Sequence, residues 1–132
     1  MGAKKIRFWI YLLVVGSLTT NTLYAQNAKK LDSILKVASN LMYSNPDNVI
    51  KSGKAVVKQS GDNVDYKIKG YKLISDAYSA KRDYEKSVEY LIKSSELLDR
   101  SSDKLLKINI VNKTGILYHQ LKVFDKSIQY LD

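Results

Sequence analysis

The sequence predicts an all-α fold of antiparallel helix pairs, and three observations carry that prediction. One proline and six glycines in 132 residues argue against a turn-rich β fold. Apolar residues recur at i, i+3, i+4 and i+7, the spacing of a single helical face. A segment near the middle of the chain also returns 40 residues later, so one structural part is used more than once.

Leu31, Ile34, Leu35, Ala38, Leu41 and Met42 form an amphipathic stripe and predict a first helix over 28–43. Asn45-Pro46-Asp47 then starts a second helix over 46–60, with Asn45 as N-cap and Pro46 in the first helical position. Val49, Gly53 and Val56 supply its inner face, and Ser60-Gly61 is a C-cap signal. Further helices are predicted over 63–80, 84–99 and 102–120, and from 124 onward.

The repeated segments are Tyr84-Glu85-Lys86-Ser87-Val88-Glu89-Tyr90-Leu91 and Phe124-Asp125-Lys126-Ser127-Ile128-Gln129-Tyr130-Leu131. They agree position by position: aromatic, acid, Lys, Ser, β-branched aliphatic, polar, Tyr, Leu. Upstream of the first stand Tyr71, Ile74, Ser75 and Tyr78. Upstream of the second, at the same spacing, stand Val111, Thr114, Gly115 and Tyr118. Each unit therefore reads as helix, tight turn, helix. Small residues at Ser75, Gly115, Ser87 and Ser127 let two backbones approach while large neighbours fill the gaps.

This layout resembles the tetratricopeptide repeat, whose first helix carries a bulky, an aliphatic, a small and a Tyr residue at those offsets. The resemblance implies a right-handed superhelix of antiparallel helix pairs, an α-solenoid of about two and a half repeats. Its units would be about 27–61, 62–101 and 102–132 within a domain covering 26–132. The packing positions it implies are Tyr71, Ile74, Ser75, Tyr78, Tyr84, Ser87, Leu91, Gly115, Tyr118, Phe124, Ser127 and Leu131. The chain departs from the family in having Ser where Ala is usual, no Trp in the repeats and a period of 40 residues instead of about 34. In that family the first helix of each unit lines a concave groove. Carried over, the groove positions are Lys69, Lys72, Asp76 and Ser79, then Asn109, Asn112, Lys113, Ile116 and His119. Asn can grip the backbone of an extended peptide and Lys can meet a carboxylate. The plainer reading of each residue is an ordinary solvated position.

The first 25 residues read as an address. Lys4, Lys5 and Arg7 precede an apolar run from Phe8 to Leu18, and Thr19–Thr22 is polar before Leu23-Tyr24-Ala25. This is the plan of a secretory signal peptide, with cleavage expected after Ala25. The run falls short of the roughly 20 residues of a spanning helix. An uncleaved anchor is the competing reading. The expected location is therefore periplasmic or secreted, with membrane contact only through this leader or a span downstream.

The net charge is +9, of which +6 remains past the leader. The lysines are dispersed among acids and Arg occurs only at 7, 82 and 100, so no nucleic-acid partner is expected for this segment. The chain has no Cys, which excludes disulfides, thiolate metal sites and a Cys nucleophile. His119 is the single histidine, and no His/Asp/Glu grouping has metal-ligand spacing. No phosphate loop, nucleophile elbow or dinucleotide fingerprint appears. The expectation is a binding module with no catalytic residues, no metal and no cofactor. Glu85 and Glu89 read as exposed i, i+4 positions that pair with Lys86 and Lys93 in a solvated face, and the repeat tyrosines as core plugs with wet hydroxyls.

Chains with an export signal followed by such units resemble the sensory front of bacterial signalling proteins, with a histidine-kinase or helix-turn-helix output downstream. A free periplasmic scaffold is the alternative. The helix from Phe124 is shorter than its template, which suggests a longer natural protein or self-capping by a homodimer through that helix.

Overall fold

The computed structural model describes residues 2–121, with side chains described for all of these but 2–5 and 12–21. The predicted helix from 124 onward, with Phe124, Ser127 and Leu131, lies outside the described residues. Among the described residues there are helices and turns and no strand. The α-helices are α1 (Gly2–Asn40), α2 (Pro46–Gln59), α3 (Val64–Ala80), α4 (Tyr84–Ser95) and α5 (Lys104–Gln120), with one 3-10 turn at Leu98–Arg100.

By backbone contact the chain divides at residue 32. The first unit, Met1–Asp32, is the long N-terminal stretch of α1. Its described side chains include the exposed Phe8, Trp9, Tyr11, Leu23 and Tyr24. Among the described residues no helix is long and apolar enough to cross a membrane. The first helix was expected over 28–43 and instead runs unbroken from Gly2. Between Leu18 and Asn40 the sequence has neither Gly nor Pro, so nothing there interrupts helical backbone.

The second unit, Ser33–Asp132, holds the helix stack. α2, α3, α4 and α5 each start at a side-chain cap. Asn45 Oδ1 accepts from Asn48 N–H (3.2 Å), and Asn63 Oδ1 accepts from Tyr66 N–H (3.2 Å). Asp83 Oδ1 accepts from Lys86 N–H (3.2 Å), and Asp103 Oδ1 accepts from Leu106 N–H (2.9 Å). Each cap satisfies one of the N–H groups that a helix start leaves open, typically worth about 1 kcal/mol. α1 ends at Asn40, three residues sooner than expected. Proline disfavours helical backbone in the residue before it, and Asn45 is out of the helix at φ −150°. Gly61 at φ 55° closes α2 in left-handed backbone, as the Ser60-Gly61 pair predicted.

Close backbone packing joins α2 to α3, α3 to α4 and α4 to α5. The α2–α3 joint is the tightest. A Cβ on Gly53 would stand 2.5 Å from Ile74 Cγ1 and 3.0 Å from the Gly70 carbonyl oxygen. A Cβ on Gly70 would stand 3.1 Å from the Gly53 carbonyl oxygen. Two backbones thus meet where neither has a side chain. Around them Ala38, Val49, Ile50, Leu73, Ile74 and Ala77 form one apolar cluster.

The α3–α4 joint is lined with hydroxyls. Ser87 Oγ–H donates to the Ser75 carbonyl (2.8 Å), and the two hydroxyl oxygens are 3.0 Å apart. Ser87 has a single proton to give, so the Ser75 hydroxyl donates to Ser87 Oγ. Ser94 Oγ–H donates to the Ile68 carbonyl (3.2 Å). Ser75, Ser87 and Ser94 are fully buried. α4 was expected to reach 99 but ends at Ser95, where Ser95 Oγ takes the Leu91 carbonyl and the chain tightens into the 3-10 turn. A second cluster of Ile68, Val88, Leu91, Leu106, Ile110, Leu117 and Tyr118 joins α3 and α4 to α5. Of the remaining packing positions, Gly115 is buried, while Tyr71, Tyr78 and Tyr84 are half-buried. The Tyr78 and Tyr90 rings stack at 5.6 Å, with Tyr71 tilted against Tyr90 at 6.4 Å.

Candidate ligand-binding groove

α3 and α5 each turn a polar stripe away from these clusters, and the two stripes meet in one groove of about 690 Å³. From α3 come Lys72, Asp76, Ser79 and Ala80; from α5 come Asn109, Asn112, Lys113, Ile116 and Gln120. Tyr84 closes one side, and Met42 and Tyr43 of the turn after α1 line another. A smaller recess of about 190 Å³ shares Lys72 and Asp76 and adds Leu35, Ser39, Lys69 and Leu73.

Asp76 sits at the centre. Lys72 Nζ lies 2.7 Å from its Oδ2, one turn away on the same helix. Lys113 Nζ lies 3.0 Å from its Oδ1 and reaches across from α5. The carboxylate is 19% exposed and the lysines 33% and 27%, so this three-charge group is shielded from bulk water more than the pairs elsewhere on the surface. Shielding strengthens each attraction and lessens its screening by salt. Lys72 spends one of its three N–H donors on Asp76, Lys113 is held by ion pairing, and both ammoniums have further donors to offer. Among the described residues the groove lining carries two positive charges against one negative, Asp76 being the one acid.

Of the groove residues expected from the sequence, the structure brings together Lys72, Asp76, Ser79, Asn109, Asn112, Lys113 and Ile116. Lys69 lines only the adjoining recess, with its Nζ 5.1 Å from the Tyr66 ring centroid. His119 is exposed in the last turn of α5 and lines neither depression. Met42, Tyr43, Ala80, Tyr84 and Gln120 were not anticipated. The first two lie on a turn, and helical spacing says nothing about where a turn residue points. Gln120 does carry the signal: it continues the stripe of Asn109, Asn112, Lys113 and Ile116.

Outside the groove the ion pairs are exposed. Lys93 Nζ is 2.6 Å from Glu89 Oε1, the i, i+4 pair expected. Lys86 joins Asp83 at 2.9 Å, whereas the sequence had suggested a glutamate on its own helix. Its hydrogen bond to Lys86 Nζ, with a smaller one from Lys86 N–H, holds the Asp83 carboxyl below its usual range. The same partner pushes the Lys86 ammonium up. Lys81 lowers Asp47 across 2.6 Å. Among the described residues no three His, Cys, Asp or Glu side chains are gathered as a metal site. Searches against family models, curated proteins and solved structures return no match for this chain.

Proposed function

We propose that this chain is an extracytoplasmic protein- or peptide-binding module built from tetratricopeptide-like helix pairs in a right-handed superhelix. The observation that carries the reading is the convergence of α3 and α5 side chains on one groove. Lys72, Asp76, Asn109, Asn112 and Lys113 come from helices separated in sequence by α4, as first helices of successive repeats would be. The 40-residue recurrence and the buried small residues Ser75, Ser87 and Gly115 support the repeat reading. Such a groove, with amide and ammonium donors beside exposed apolar surface at Ile116 and Tyr43, suits an extended peptide segment. The leader pattern of residues 1–25 supports export, and a role as the sensory segment of a longer signalling protein rests on resemblance alone.

A random peptide library panned against the full chain tests the binding reading. Enriched peptides should lose at least about tenfold in affinity to a K72Q/K113Q variant that keeps its helical circular dichroism. Peptides that bind the variant equally well place recognition elsewhere and end the groove reading. Fusing residues 1–25 to a reporter active only outside the cytoplasm tests export, and an inactive, full-length fusion ends that part.

A further inference from the structure

Resting on the peptide-binding reading above, we infer that the groove selects a ligand bearing a single acidic side chain within its length, set among apolar residues. Asp76 holds the Lys72 and Lys113 ammoniums of two different helices around one point, at 2.7 and 3.0 Å. Coming from separate helices, the two ammoniums cannot be brought together by local sequence, and the shared carboxylate draws both toward the centre of the groove. Their remaining N–H donors serve a second carboxylate, which takes up the one unit of positive charge left over. A second ligand acid would find that charge already met. An acid at an internal position fits better than a chain terminus, because the lining continues past the lysines: the recess with Leu35 and Leu73 shares Lys72 and Asp76, and Ile116 lies one turn beyond Lys113. Ile116 is 49% exposed and Tyr43 89%, so apolar neighbours of the acid have surface to cover.

The test uses the full chain and three short peptides of one leucine-containing frame. The first has a central Glu and amidated end, the second a central Gln and amidated end, and the third a central Gln and free carboxylate. Titration calorimetry at low salt should show the Glu peptide binding about tenfold tighter than either Gln peptide. K113Q should abolish that preference, while K54Q, an exposed lysine of α2, should leave it intact. Equal binding of both amidated peptides overturns the acid selectivity and leaves the groove reading standing. A free-carboxylate Gln peptide that matches the Glu peptide overturns the internal position. A preference weakened equally by K54Q reduces the effect to bulk charge and overturns the proposal. If none of the three binds, the peptide-groove reading falls with it.

Discussion

Arg82 is the one non-glycine residue at positive φ among the described residues, at 60°. It closes α3: Arg82 N–H bonds the Ser79 carbonyl and Asp83 N–H the Tyr78 carbonyl, both at 2.9 Å. Left-handed backbone crowds the Cβ of an L residue and costs about 1–2 kcal/mol, which glycine avoids. Arg82→Gly should therefore raise stability by about 0.5–1 kcal/mol in urea unfolding, despite the greater freedom of glycine in the unfolded chain. No change, or a loss, would mean that the arginine side chain offsets its strain. The buried serines make a second residue-scale case. Ser87→Ala removes the donor to the Ser75 carbonyl and leaves the Ser75 hydroxyl without its acceptor, a loss of about 1 kcal/mol. The double change to Ala at 75 and 87 also removes the stranded Ser75 hydroxyl, so it should regain part of that loss, the Ser75 backbone carbonyl still lacking Ser87. An additive double mutant would show that the two hydroxyls act independently.

At the scale of elements, the α2–α3 joint rests on two glycines. Ala is ordinarily about 1 kcal/mol better than Gly inside a helix. Gly70→Ala should nevertheless destabilise, by about 1–3 kcal/mol, because the new methyl meets Val57 Cγ2 at 2.7 Å and two backbone atoms at 3.1 Å. Chemical unfolding checks the sign, and a stabilised variant would mean that the helices separate freely. The helices themselves were legible in the sequence. Asn45, Asn63, Asp83 and Asp103 cap them close to the positions where periodicity begins. Gly53 was placed on an inner face, but its opposite number Gly70 went unread. A lone glycine inside a helical pattern marks close approach without naming what approaches. The early end of α4 was illegible too: it goes with Ser95 Oγ–H turning back to the Leu91 carbonyl, which apolar spacing does not reveal.

For the molecule as a whole, pH dependence follows from the exposed pairs. Asp47 and Asp83 titrate below their ordinary 3.8 when folded, so their contribution is present above that pH and lost as pH falls through the lowered folded values. Lys86 and Lys93 titrate above 10.5 when folded, through their bonds to Asp83 and Glu89, so their contribution is present below 10.5 and lost at more alkaline pH. Melting temperature should hold level between these limits and decline outside both. Asp83→Asn should shrink the decline on both sides, since it removes one lowered acid and the partner of Lys86. An unchanged pH profile in that variant would sink the assignment. Much of the groove was legible as well: the polar stripes of α3 and α5 follow from helical spacing once the apolar stripes are known. The three-charge contact at its centre was not, because the sequence separation of Asp76 and Lys113 carries no information on their distance. The contribution of Met42 and Tyr43 depends in the same way on how the turn after α1 folds over.

The glycine contact between α2 and α3 bears on how the proposed binding face would respond to an occupant. Two backbones in close contact, flanked by the β-branched side chains of Val57 and Ile74, leave that pair of helices no inexpensive way to slide. They form a fixed wall, carrying Lys72 and Asp76. On the peptide-binding reading, accommodation of a larger guest would fall to α5, which meets its neighbours through leucine and isoleucine contacts and the Lys113–Asp76 ion pair.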